Sequence, residues 1–166
     1  MWAYLRSDQF LRSYYMLLFQ LPSLPERLIA RGLARTLAAS GLGAAFKPNS
    51  DDLRDSPALD IAERIWARGA DVVITDPAAG PALRVKRPNL QVVDDLDEAL
   101  RDADLVLLLT EWREFVALDP VRTGELVRTR KIVDGRNVLD PNAWMNAGWT
   151  YRGMGRHGGP TTTAGW

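Results

Sequence analysis

Two segments of the chain concentrate side chains that could grip an anion. The first, FKPNSDDLRDSP from Phe46 to Pro57, packs Lys47, Asp51, Asp52, Arg54 and Asp55 into a connection between a short apolar run and a helix. The second, KIVDGRNVLDP from Lys131 to Pro141, carries Arg136 just past Ile132 and Val133, which read as the end of a buried strand, and past the Asp134-Gly135 turn. A lysine offers phosphate a compact charge, whereas an arginine offers a planar fork that engages two oxygens at once. Ser56-Pro57 is an N-cap residue followed by proline at the first helical position, which signals a helix start. Backbone N–H groups at that start would add to an anion site. The same stretch reads equally as a solvated polar loop with internal salt bridges of small energetic consequence. Three aspartates there would repel a pyrophosphate. The expected role of Asp51, Asp52 and Asp55 is therefore to orient Lys47 and Arg54 or to cap the helix.

Composition bounds the remaining chemistry. The 166 residues include no cysteine, which removes disulfides, thiolate nucleophiles and cysteine-ligated metal. The one histidine, His157, lies in a glycine-rich tail without neighbours at ligand spacing, so no metal site is expected. No residue is assigned a catalytic role. Lysine plus arginine and aspartate plus glutamate both number 21, a balance that argues against nucleic acid and anionic membrane as partners.

The elements that must position Lys47 and Arg136 alternate along the chain. Ala58, Ile61, Ala62 and Ile65 recur at helical spacing, with Gly69 where the helix would stop. Asp71 to Thr75 (DVVIT) is a β-branched run closed by Asp76-Pro77, and Leu90 to Val93 gives another short strand. Asp95 to Glu98 has the form of a capping box before Leu96, Ala99 and Leu100. Leu105 to Leu109 looks like a strand buried on both faces. A helix over Asp119 to Val127, a strand over Arg130 to Val133, a short helix from Asp140-Pro141 to Met145 and a last strand over Trp149 to Arg152 complete the series. The pattern predicts an α/β fold, a Rossmann-like three-layer sandwich with a mostly parallel sheet.

In such sheets function collects at the strand carboxyl ends. Four segments lie there: Phe46 to Asp55, Asp76-Pro77, Thr110 to Arg113, and Asp134 to Asn137. Asp76 stands where a dinucleotide fold places its ribose-binding acid, although Asp-Pro also suits a turn. Gly41-Leu-Gly43 is only the start of a dinucleotide glycine fingerprint, because Phe46 occupies its third glycine position. Glu111 and Trp112 could line a cleft, or be a solvated glutamate and an edge-of-core tryptophan. Trp66, Trp144 and Trp149 are expected in the core or in helix packing.

These segments, with TEWREF at Thr110 to Phe115 and AGWTYRGMGR at Ala147 to Arg156, resemble the UDP-binding C-terminal domain of the UDP-glucose and GDP-mannose dehydrogenase family. The resemblance runs from about Gly43 to about Arg156. It implies that Phe46, Lys47 and Arg136 contact a UDP-sugar and that Arg54 reaches the phosphates of NAD. For the complete enzyme it implies NAD-dependent oxidation of UDP-glucose to UDP-glucuronate through a cysteine thiohemiacetal. That cysteine and the domain holding most of the NAD are not in this sequence, which reads as a fragment not competent alone. Its implied partners are a UDP-sugar and either a separately encoded catalytic domain or further copies of the chain. Two other readings stay open: a non-catalytic oligomerisation or binding module, and a stand-alone dinucleotide-binding domain.

The expected organisation is a helical extension of unrelated origin over 1–40, the UDP-binding Rossmann-like domain over 41–154 and a disordered tail over 155–166. Phe10 to Leu28 is similar to a cap segment of α/β-hydrolases of the epoxide-hydrolase type, without the accompanying catalytic triad. Its apolar run, Tyr14 to Leu21, is far short of the about 20 residues that span a bilayer. No cleavage site follows it, so a cytoplasmic location is expected. One weakness stands out. The strand leading to Lys47 would be Ala38, Ala39, Ser40, Gly41 and Leu42, residues of low strand propensity in a central position.

Overall fold

Those five residues do form a strand, and it is central. In the computed structural model, which describes residues 37–154, β1 (Ala38–Leu42) pairs in parallel with β2 (Asp71–Thr75) on one side and β4 (Leu105–Leu108) on the other. Two ladders and burial on both faces override the low propensity of small residues. A side-chain clamp secures its start: the Asp104 carboxylate accepts from the Ala38 N–H at 3.0 Å, while the Asp104 N–H donates to the Ala38 carbonyl at 2.8 Å.

The sheet has six strands in the order β3-β2-β1-β4-β5-β6, all pairs parallel, with β3 at Gln91–Val92, β5 at Lys131–Asp134 and β6 at Thr150–Gly153. Helices α1 (Pro57–Trp66), α2 (Gly80–Lys86), α3 (Leu96–Leu100), α4 (Arg113–Val116), α5 (Pro120–Leu126) and α6 (Pro141–Asn146) occupy the connections. Parallel crossovers are right-handed. Since β1 to β3 run one way across the sheet and β4 to β6 the other, α1 and α2 cover one face and the later helices the opposite face. Leu100, Val106, Leu108, Phe115, Ile132 and Trp144 pack into one apolar cluster on that second face. Residues Leu37–Gly153 form one compact unit. Among the described residues no helix is long and apolar enough to cross a membrane.

Local signals act as their chemistry demands. Ser56 caps α1, accepting from the Leu59 N–H at 3.4 Å, and Pro57 takes the first helical position. Ala58, Ile61, Ala62 and Ile65 are its buried face, and Gly69 leaves the helix at φ +88°. Asp95 accepts from the Glu98 N–H at 2.7 Å, and Asp119 caps α5 through the Val121 and Arg122 N–H groups. Trp144 and Trp149 are buried and meet edge to face with centroids 4.7 Å apart. Trp66 departs from expectation: it lies at the end of α1, one position past the buried Ile65, and is 43% exposed. The helices α2 and α4 escape sequence reading because they are short and built around Gly80-Pro81 and the Glu111-Trp112 turn.

The chain must turn sharply where β1 ends. Gly43 has φ +95°, and a Cβ there would stand 2.5 Å from the Thr110 Cβ. Gly43→Ala is therefore expected to cost about 2–4 kcal/mol from backbone strain and overlap together. Urea denaturation measures it. An unchanged midpoint would mean the turn relaxes freely.

Candidate functional site

The strand order reverses between β1 and β4, so a crevice opens outside their carboxyl ends, the place where open α/β sheets bind ligands. The loop leaving β1 is fixed residue by residue at its root. The Gly43 N–H donates to the Thr75 carbonyl at 2.8 Å, extending the ladder past β1. The Ala44 carbonyl accepts from Ser56 Oγ at 2.6 Å and the Ala45 carbonyl from Thr110 Oγ1 at 2.9 Å. The Phe46 N–H donates to the Asp52 carbonyl at 2.9 Å and closes the loop on itself. Phe46 and Lys47 thus leave a root tied to β2, to β4 and to the start of α1.

Asp76 supplies the strongest of these ties. Its carboxylate is 4% exposed and accepts from four backbone N–H groups: Ala44 and Ala45 at 2.8 and 2.9 Å on one oxygen, Ala78 and Ala79 at 3.0 and 2.8 Å on the other. In a dinucleotide fold the N–H groups of the first strand–helix loop cradle the pyrophosphate. Here an internal carboxylate takes them, and the ribose-binding position at the end of β2 becomes a brace. The turn role weighed for Asp76 is therefore part of a larger one.

Arg136 follows β5 and is held at both ends. Its backbone N–H donates to Asp134 Oδ1 at 3.0 Å, and its guanidinium forms a bidentate pair with Glu111, Nε to Oε2 and Nη2 to Oε1, the latter at 2.7 Å. Asp134 is fully buried and also accepts from the Leu139 N–H at 2.9 Å and the Tyr151 hydroxyl at 2.8 Å. Glu111 is thus the arginine's partner rather than a solvated side chain. Burial pushes the Glu111 carboxyl up, but hydrogen bonding to Arg136, a backbone hydrogen bond and the Arg136 charge together outweigh it and hold the group below its ordinary value. Twenty-five positions separate the two residues. No spacing rule links them; the sheet does, by setting β4 beside β5.

Arg54 lies on the exposed part of the β1–α1 loop, its side chain 84% exposed, and pairs with Asp52 at 2.9 Å (Nε to Oδ1) and 2.8 Å (Nη2 to Oδ2). Hydrogen bonds from the Arg54 side chain and backbone, in that order, lower the Asp52 carboxyl, and the Asp52 hydrogen bond raises Arg54. One of the three aspartates therefore orients Arg54, while the helix cap is Ser56. Lys47 is exposed and has no ion pair among the described residues. Phe46 is half-buried. The structure sets Phe46, Lys47 and Arg54 on one loop and Arg136 on another, all at the carboxyl edge, with Thr110, Glu111 and Trp112 between them in sheet order. Trp112 is 9% exposed, with no hydrogen-bond partner for its indole N–H among the described residues.

A parallel sheet in this strand order, with helices in its connections, defines a Rossmann-like α/β domain. Residues 41–141 match the UDP-glucose/GDP-mannose dehydrogenase family, UDP binding domain. UDP-glucose 6-dehydrogenase TuaD of Bacillus subtilis is 35% identical over 130 residues, covering 78% of this chain and 28% of that protein. UDP-glucose 6-dehydrogenase of Pseudomonas aeruginosa is 36% identical over 146 residues, covering 84% and 31%. Among solved structures, a UDP-glucose dehydrogenase from Pyrobaculum islandicum superposes with a TM-score of 0.62 at 32% identity, covering 87% of this chain and 29% of that one. An NDP-N-acetyl-D-galactosaminuronic acid dehydrogenase from Methanosarcina mazei gives 0.70 at 26% identity, covering 90% and 30%. The chain belongs to the UDP-glucose/GDP-mannose dehydrogenase family and carries its UDP-binding domain. It spans less than a third of the length of these relatives. The segment Phe10 to Leu28, likened above to a hydrolase cap, lies outside the described residues and before the family match.

The Glu111–Arg136 pair predicts a pH dependence. A carboxyl lowered by folding stabilises the native state fully above its unfolded value and loses that contribution as pH falls through the folded value. The stability gap between wild type and Glu111→Gln should therefore be constant above the ordinary glutamate value of 4.5 and shrink as pH falls further below it. Denaturation curves across the acid range measure this. A gap that grows on acidification contradicts the pairing.

Proposed function

We propose that this chain binds a UDP-sugar at the carboxyl edge of its sheet, as the C-terminal domain does in an NAD-dependent UDP-glucose 6-dehydrogenase. Phe46, Lys47 and Arg136 are the proposed UDP-sugar contacts. The observation that carries the reading is the family match over 41–141, within which Lys47 and Arg136 leave β1 and β5 on one edge. In the proposed division, the binding unit begins with β1 at Ala38 rather than at residue 41, because Ala38 to Ser40 pair inside the sheet; the residues before it are an extension and 155–166 a tail. The hydrolase-like segment plays no part in it.

For NAD the residues fit one contact. Arg54 is exposed and braced by Asp52, which suits a dinucleotide phosphate approaching from outside the domain. The β1 loop does not fit a whole cofactor, because Asp76 already occupies the N–H groups that would hold a pyrophosphate. This disfavours a stand-alone dinucleotide-binding domain. Oxidation of UDP-glucose to UDP-glucuronate through a thiol is proposed for the complete enzyme only, since this chain has no cysteine. In that complete enzyme the nucleophile and the bulk of the cofactor site would belong to a catalytic domain, and further copies of this chain could complete an assembly.

Titration with UDP, followed by calorimetry or amide chemical shifts, tests the reading. Each charge-assisted contact contributes roughly 1.5–3 kcal/mol, so Lys47→Ala and Arg136→Ala should each weaken UDP by about tenfold or more. Arg136→Lys should also be costly, because an ammonium cannot replace the guanidinium fork. Equal affinity in all four proteins overturns the site. Binding of NAD(H) without UDP would favour the dinucleotide reading, and binding of neither the interaction module.

A further inference from the structure

The Arg136–Glu111 pair has a definite geometry. A guanidinium carries five N–H donors, and Glu111 engages the Nε and Nη2 side of Arg136. This side-on arrangement leaves both Nη1 hydrogens and the second Nη2 hydrogen. One hydrogen from each of those nitrogens lies parallel along the outer edge of the guanidinium plane, a second two-donor fork. Meanwhile the Asp134 carboxylate fixes the backbone N–H of Arg136. The side chain is therefore anchored at root and tip, with its end-on edge uncommitted to Glu111.

We propose that Glu111 is the positioning residue of this site: it holds the Arg136 guanidinium side-on so that the end-on fork is presented to two oxygens of the nucleoside diphosphate ligand. The inference rests on the function proposed above and deepens it. It also divides the work between the cations. Glu111 offsets the charge of Arg136, so Arg136 reads the spacing of an oxygen pair. Lys47, with no ion pair among the described residues, supplies the net charge. The opposite role for the same pair is competition, in which Glu111 occupies Arg136 until the ligand displaces it.

The two roles differ in sign. UDP titrations of wild type, Glu111→Gln, Arg136→Ala and the double variant form a double-mutant cycle. Positioning predicts at least threefold weaker binding in Glu111→Gln, and no further loss from that change once Arg136 is alanine. A merely structural glutamate would weaken binding equally in both backgrounds, which would overturn the inference. So would unchanged or tighter binding in Glu111→Gln. A measurement on wild type alone covers the case in which the variant folds poorly: the Arg136 Nε–H resonance should keep its salt-bridged chemical shift when UDP is added. Movement of that signal to the value of a free arginine would establish displacement and overturn positioning. Absence of any UDP binding by wild type would overturn the function proposed above and this inference with it, whereas wild-type binding with a silent Glu111→Gln overturns this inference alone.

Discussion

A single buried carboxylate holds together the two loops on which this domain depends. Asp76 ends β2, yet half of its hydrogen bonds go to the loop that follows β1. An ionised carboxylate is acceptor-only and can serve four donors, and N–H bonds to it are roughly twice as strong as neutral ones. With Ala44 and Ala45 secured in this way, and their carbonyls taken by Ser56 and Thr110, the Phe46–Lys47 pair has little freedom at its base. An anion that needs the loop's own N–H groups finds them occupied. An anion that needs a cationic side chain beyond the loop does not.

This solves a problem set by the composition. The carboxyl edge is rich in aspartates, and their repulsion of an anion would be severe if they faced it. Asp76 and Asp134 instead turn inward, each at most 4% exposed and each accepting from backbone N–H groups beyond a strand end. Asp52 and Glu111 each hold an arginine. These acids serve as braces, while Lys47 and Arg54 stand exposed on the edge.

Much of the fold is legible in the sequence because its signals are local: β-branched runs for β2 and β5, an unbroken apolar run for β4, and N-cap residues with proline for α1, α5 and α6. The short helices α2 and α4 lack such signals, and β1 carries a misleading one. Alanine, serine and glycine disfavour a strand in isolation, but the ladders from β2 and β4 decide the matter. At the site, the loops bearing Lys47 and Arg136 can be found from strand ends and turn residues. Glu111 and Asp76 cannot be assigned their partners that way. Each acts on a residue from a neighbouring strand's loop, and strand order in the sheet is a property of the folded whole.

The central strand has a consequence for how the molecule assembles. Ala39 pairs with Val72 and with Leu105, so β1 emerges first from synthesis among the described strands and waits for the two partners that make it stable. With so little intrinsic preference it gains order only when both arrive, and contacts of that sequence separation are slow to form. Folding of this sheet should accordingly be limited by a late, cooperative closure around β1. Until then the loop bearing Lys47 has no fixed base, so ligand competence should appear with the last step of folding and not before it.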